Sequence, residues 1–220
     1  IFDARFYLYL LSVTNIFCTS FVQQRLWFLD QYEPETALYS IPAAWRIQGG
    51  LDADALEKSL NQIIRRHEVL RTTFLRGADE PLQVIAESLQ IKLDRVDLSA
   101  NHPGEAGVQQ LIKEAAQHPF NLEKGPLIRA CLFKFAQNEF VFLLVLHHIV
   151  SDGWSTGILA HELSVLYRAF TLGQPSPLSE LPIQYADFAV WQREWLQGEA
   201  LQVQLDYWKL TLEGAPPLLE

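Results

Sequence analysis

Along residues 51–70, apolar side chains recur at 56, 60, 63 and 64. That is the i, i+4, i+7, i+8 spacing of a helix with one face on a core. Asp52 or Asp54 stands where a side chain can cap its start. Residues 71–75 and 82–86 read as two strands joined across the turn-rich Gly77-Ala78-Asp79-Glu80-Pro81. A short helix over 107–117 ends ahead of Pro119. Residues 127–135 and 140–147 are rich in strand formers and are separated by Ala136-Gln137-Asn138-Glu139, which predicts a hairpin. The second arm is continuously apolar from 140 to 146 and does not alternate, so a central strand covered on both faces is expected.

Apolar residues at 158, 159, 163, 166, 167 and 170 then predict a helix over 158–172. A Pro- and Ser-containing loop follows over 173–182, and two more helices are expected over 185–196 and 201–212. Strands and helices alternate, so the class is α/β. Gly214-Ala215-Pro216-Pro217 reads as the start of a linker. The first nineteen residues stand apart, for no charged residue occurs from Phe6 to Gln24. Ser12, Thr14, Asn15, Thr19 and Ser20 dilute this run below a membrane span, and Arg5 offset by Asp3 is a poor signal-peptide start. The lead-in is taken as a native strand or as non-native sequence.

Composition narrows the function classes. With 49% hydrophobic and 20% charged residues in 220, the chain can bury a real core. Its net charge of -9, with no Lys/Arg block, excludes a nucleic-acid partner, which needs a basic face. Cys18 and Cys131 lie far apart without metal-ligand spacing, favouring a reduced, cytoplasmic setting. The absence of methionine, even at position 1, points to a segment of a longer chain.

Candidate chemistry sits where the buried strand gives way to the next helix, at His147-His148-Ile149-Val150-Ser151-Asp152-Gly153. A metal site is one reading. Adjacent strand residues face opposite ways, so His147 and His148 do not readily share an ion. A set of His148, Asp152 and His161 lacks the helical spacing of known ligand pairs. A serine hydrolase is the second reading, because Gly153-Trp154-Ser155-Thr156-Gly157 fits G-x-S-x-G. The one histidine downstream is His161, with no acid between it and Ser155, so the triad fails within this chain.

The third reading is acyl transfer without a covalent protein intermediate. His148 would act as base or positioner, Asp152 would hold the loop through an internal ion pair, and the Gly153 N–H would approach a developing oxyanion. Two buried histidines in a turn remain the plain alternative.

The segment His147 to Gly153, followed by Trp154-Ser155, resembles the H-H-x-x-x-D-G signature of condensation domains of nonribosomal peptide synthetases. Ser20-Phe21-Val22-Gln23-Gln24-Arg25-Leu26-Trp27-Phe28-Leu29 is similar to that family's first motif, with Val22 where alanine is usual. Arg66-His67-Glu68-Val69-Leu70-Arg71-Thr72 resembles the second, and Tyr185-Ala186-Asp187-Phe188-Ala189-Val190-Trp191 the fourth.

The resemblance implies a chloramphenicol acetyltransferase-like α/β sandwich, a mixed sheet flanked by helices, as one lobe of a two-lobed domain. It divides the chain into a lead-in (1–19), an N-terminal lobe (20–213) and the start of a linker to a second lobe (214–220). It implies amide-bond formation between thioesters held on the phosphopantetheine arms of upstream and downstream peptidyl carrier proteins. An adenylation domain of the same synthetase would be a further partner, with no cofactor bound directly, no metal, no nucleic acid and no membrane.

His148 would be the functional histidine, and His147 and Asp152 mainly structural. Asp152 would pair with an arginine, Arg66 first, while Arg66 and Arg71 also read as a solvated helix end. Tyr185, Trp191, Arg25 and Trp27 read as packing residues. An acyl-CoA-dependent relative, an epimerisation domain and a non-catalytic interaction lobe stay open as alternatives.

Overall fold

The uninterrupted apolar run at 140–146 becomes the axis of the protein. In the computed structural model, which describes residues 15–34, 36–100 and 103–216, seven strands form two sheets, accompanied by six α-helices. The larger sheet has the order β2-β7-β6-β5, where β2 is Ser40–Gln48, β5 Asp94–Asp97, β6 Ile128–Ala136 and β7 Glu139–His147. β7 pairs antiparallel with both β2 and β6, while β5 runs parallel to β6, so the sheet is mixed. The smaller sheet is antiparallel, β1-β4-β3, with β1 at Ile16–Cys18, β3 at Thr72–Arg76 and β4 at Pro81–Ile85.

From Phe140 to His147 every residue of β7 is buried. Each fully buried Leu or Phe contributes about 1.5–3 kcal/mol, so this strand anchors the core. Its faces have different covers. Phe142 stacks on Trp45 of β2, at 5.6 Å between ring centres. Together they border an apolar cavity of about 250 Å³ shared with Leu56, Ala160 and Leu163. On the opposite face the His147 ring stands edge-on to Phe120, which also carries the Arg129 guanidinium over its ring at 3.9 Å.

The helices are α1 (Phe21–Tyr32), α2 (Ala53–Arg66), α3 (Gly104–Ala116), α4 (Gly153–Thr171), α5 (Tyr185–Trp195) and α6 (Gly198–Thr211). Asp52 caps α2 by accepting from the N–H groups of Asp54 and Ala55. A short 3-10 turn, Glu68–Arg71, links α2 to β3. The expected hairpin is present, with its turn tightened to residues 137 and 138.

Two differences from expectation affect the site. α4 starts at Gly153 and not near 158, so the glycines at 153 and 157 lie inside the helix. Ile16–Cys18, within the segment read as a lead-in, pairs with β4 as β1; residues 1–14 and 217–220 of the lead-in and linker assignments lie outside the described residues.

Candidate active site

At the end of β7 the chain leaves the sheet through a tight turn, in which the Val150 N–H donates to the His147 carbonyl (3.0 Å). The alternation of the strand carries into this turn and separates the two histidines. His147 is 2% exposed, and its Nδ1 accepts the Ile149 N–H at 3.1 Å. Burial, with the neighbouring charge of His148 added, pushes its pKa down to about 4. It is therefore a neutral structural ring at physiological pH. His148 is exposed and lines a cavity of about 380 Å³.

The tautomer of His148 follows from its partner. Nδ1 lies 2.8 Å from the Ser151 carbonyl oxygen, and a carbonyl only accepts. Nδ1 therefore carries the hydrogen, and in the neutral ring Nε2 keeps its lone pair.

Asp152 does different work from that expected. It is the N-cap of α4: its Oδ1 accepts from the Ser155 N–H at 2.7 Å and from the Ser155 hydroxyl at 2.6 Å. Those two donors hold its carboxyl below the usual carboxylate range. The expected Asp152–Arg66 pair is not formed. Arg66 is buried and engages Glu162 of α4 at 2.6 Å, and its Nε donates to the Ser179 carbonyl at 2.9 Å.

The same Glu162 carboxylate meets His67 Nε2 at 2.8 Å. Glu162 lies on the buried stripe of α4 with Leu159, Leu166 and Ala169, so a charge placed there requires a buried partner. Arg71 lies away from the loop, paired with Glu68 at 3.1 Å and donating to the Ala86 carbonyl. Ser155 has its hydroxyl committed to Asp152, an arrangement unlike a nucleophile activated by histidine. Among the described residues, no three His, Cys, Asp or Glu side chains gather as a metal site, and no helix is long and apolar enough to cross a membrane.

The cavity draws on all four motif segments: Val22 and Gln23, then His67, then His148 to Asp152, then Tyr185. Gln23 ties the first to the third. It is 1% exposed, closes a capping box with Ser20, and donates to Gln83 Oε1 (3.1 Å) and the Ile149 carbonyl (3.4 Å). The hydroxyls of Ser20 and Tyr185 share a hydrogen bond at 2.9 Å. Arg193 of α5 donates to the Thr19 carbonyl at 2.8 Å and stacks over Phe21 at 4.2 Å. Gln184 bridges α2 to the wall, donating to the Arg66 carbonyl and accepting from the Glu68 N–H.

Sequence reasoning did not single out Gln23, His67, Glu162 or Gln184. For Glu162 the signal was available, as an acid at helical spacing between Leu159 and Leu166. Gly153 does not line the cavity, and a Cβ there would meet nothing within 4 Å among the described residues.

Comparison with known proteins places this geometry in a family. Residues 13–220 match the condensation-domain family, starting seven residues before the lobe boundary read from the sequence. The chain is 53% identical over 202 residues to a linear gramicidin synthase of Brevibacillus parabrevis, covering 91% of this chain and 3% of that protein. It is 44% identical over 206 residues to chondramide synthase cmdD of Chondromyces crocatus, covering 93% and 5%. In fold it is similar to the first condensation domain of the calcium-dependent antibiotic synthetase in complex with a substrate analogue. The TM-score is 0.84 at 21% identity, over 94% of this chain and 50% of that one. The chain thus spans 3–5% of the length of these synthetase relatives. The family match covers nearly the whole chain and all four motif segments that wall the cavity. This chain belongs to the condensation-domain family.

Proposed function

We propose that this chain carries the catalytic loop of a domain that makes amide bonds in nonribosomal peptide synthesis. The donor is an acyl or peptidyl thioester and the acceptor an aminoacyl thioester. Each is delivered on the phosphopantetheine arm of a carrier protein, upstream and downstream respectively, with an adenylation domain of the same synthetase loading the acceptor. A cytoplasmic setting fits the two unpaired cysteines, Cys18 and Cys131.

The observation that carries this reading is the hydrogen bond from His148 Nδ1 to the Ser151 carbonyl. It leaves Nε2 as an acceptor on a residue that lines the cavity. The acceptor amine attacks the thioester carbonyl carbon, and the carbonyl pair moves onto oxygen. His148 Nε2 takes a proton from the attacking nitrogen; collapse then breaks the C–S bond, and the proton leaves with the thiol.

An α-amino group titrates near 8, so much of the amine is free at neutral pH. Holding the amine in line therefore contributes alongside base catalysis, which supplies about 10²–10⁴-fold. His147 and Asp152 support the loop, the first from the sheet side and the second by capping α4.

The test is His148→Ala in the intact synthetase module with both carrier proteins loaded. Dipeptide formation should fall by about 10²-fold or more. Near-normal dipeptide yield from that variant would overturn the reading. Equal turnover with a free acyl-CoA donor would favour a relative that uses soluble thioesters.

A further inference from the structure

Four buried side-chain polar atoms lack a hydrogen-bond partner among the described residues: Trp27 Nε1, Ser40 Oγ, Arg129 Nε and Ser151 Oγ. Of these residues only Ser151 lines the cavity that holds His148. It is 5% exposed, and its carbonyl is already engaged by His148. A hydroxyl withdrawn from water and left unpaired costs stability, and in native proteins such an orphan needs an explanation. Alanine would fill almost the same space without that cost.

The other side-chain donors around the cavity have partners. Gln23 donates to Gln83 and to the Ile149 carbonyl. His67 meets Glu162, Ser155 donates to Asp152, Gln184 donates to the Arg66 carbonyl, and Tyr185 shares a hydrogen bond with Ser20. His148 gives its one N–H to Ser151.

The start of α4, otherwise a natural place for an anion, has its own carboxylate, because Asp152 accepts from the Ser155 N–H. That N–H is therefore not free for substrate, whereas Ser151 has an uncommitted O–H three residues from the proposed base.

We infer that the Ser151 hydroxyl is a further catalytic group, which donates a hydrogen bond to the donor carbonyl oxygen as it becomes an oxyanion. This rests on the condensation reading above. Rotation about its Cα–Cβ bond turns the O–H toward the substrate. No covalent bond to serine forms: nitrogen adds to the carbonyl carbon, the oxygen pair is held by Ser151, the proton passes to His148 Nε2, and the thiol departs when the C=O re-forms.

The experiment measures amide formation and the thermal unfolding midpoint for Ser151→Ala, Ser151→Cys and His148→Ala in the same loaded module. Ser151→Ala should lower kcat by about 10²-fold, the usual effect of losing one oxyanion donor. KM for the donor carrier and the unfolding midpoint should not fall. Ser151→Cys, a weaker donor, should lie between alanine and serine in rate. A lowered midpoint in Ser151→Ala would give the hydroxyl a structural partner and overturn the inference, as would an unchanged kcat. If Ser151→Ala keeps full activity while His148→Ala is inactive, only this inference fails. If His148→Ala keeps full activity, the condensation reading fails, and this inference with it.

Discussion

The inward-facing imidazole at the end of β7 has a measurable cost. The pKa of His147 is depressed to about 4, against 6.5 in an unfolded chain. As pH falls below 6.5 the unfolded chain takes up a proton that the fold excludes. Stability is therefore lost between about 6.5 and 4, and the loss is complete below the folded value. At about 1.4 kcal/mol per pH unit, the full effect is roughly 3 kcal/mol.

His147→Asn keeps an acceptor at the Nδ1 position for the Ile149 N–H but cannot titrate. Its unfolding midpoint should change less between pH 7 and pH 4.5 than that of the parent protein, and parallel pH curves would contradict the account. The division of labour between the histidines is legible in the sequence, since it follows from strand alternation. The partner of Asp152 was not. Gly153 and Gly157 conceal the first turn of α4, and without that turn a capping aspartate looks like one in need of an arginine.

At the level of elements, the Arg66–Glu162 ion pair ties α2 to α4, with side chains 10% and 9% exposed. Removing one partner of such a pair leaves a buried charge and costs about 3–5 kcal/mol. Glu162→Ala should therefore lower the urea midpoint clearly and free His67 from its carboxylate. A change within the scatter of surface substitutions would mean the pair carries no such strain.

Elements built on apolar periodicity were readable, α2 and β7 above all. α1 was not, because its buried positions are Gln23, Leu26 and Asp30, so polar residues occupy the stripe that periodicity looks for. β2 is an edge strand that alternates only between half-buried and exposed residues and contains Pro42, a residue tolerated at edges. β5 has four residues, all exposed, and gives no pattern at all.

At the scale of the whole molecule, α5 and α6 carry several exposed aromatic side chains. Trp191 and Trp195 stack at 5.5 Å while half exposed, and Trp208 is 55% exposed; α6 has no buried residue. Apolar patches of this kind associate. The isolated 220-residue chain should show concentration-dependent light scattering that Trp195→Glu and Trp208→Glu reduce. A single mass at every concentration would count against an adhesive face. Helicity alone made α5 and α6 legible in the sequence; their exposure was not, since it depends on what lies beside them in space.

The hairpin between β6 and β7 has a consequence for how this protein can evolve. Its turn lies at the far end of a nine-residue strand, about 30 Å from the histidines. Strand faces repeat every two residues, so one residue inserted or deleted at 137–138, if absorbed by a slip of β7, would turn each histidine to the opposite face. An insertion would bring His147 to the cavity and Leu146 to the inner position beside Phe120, whereas a deletion would carry His148 inward and leave Ile149 at the cavity. Length change there is thus tolerated only where the loop or a bulge such as the one at 134–136 takes it up, and a turn that touches no substrate sets the reading frame of the chemistry.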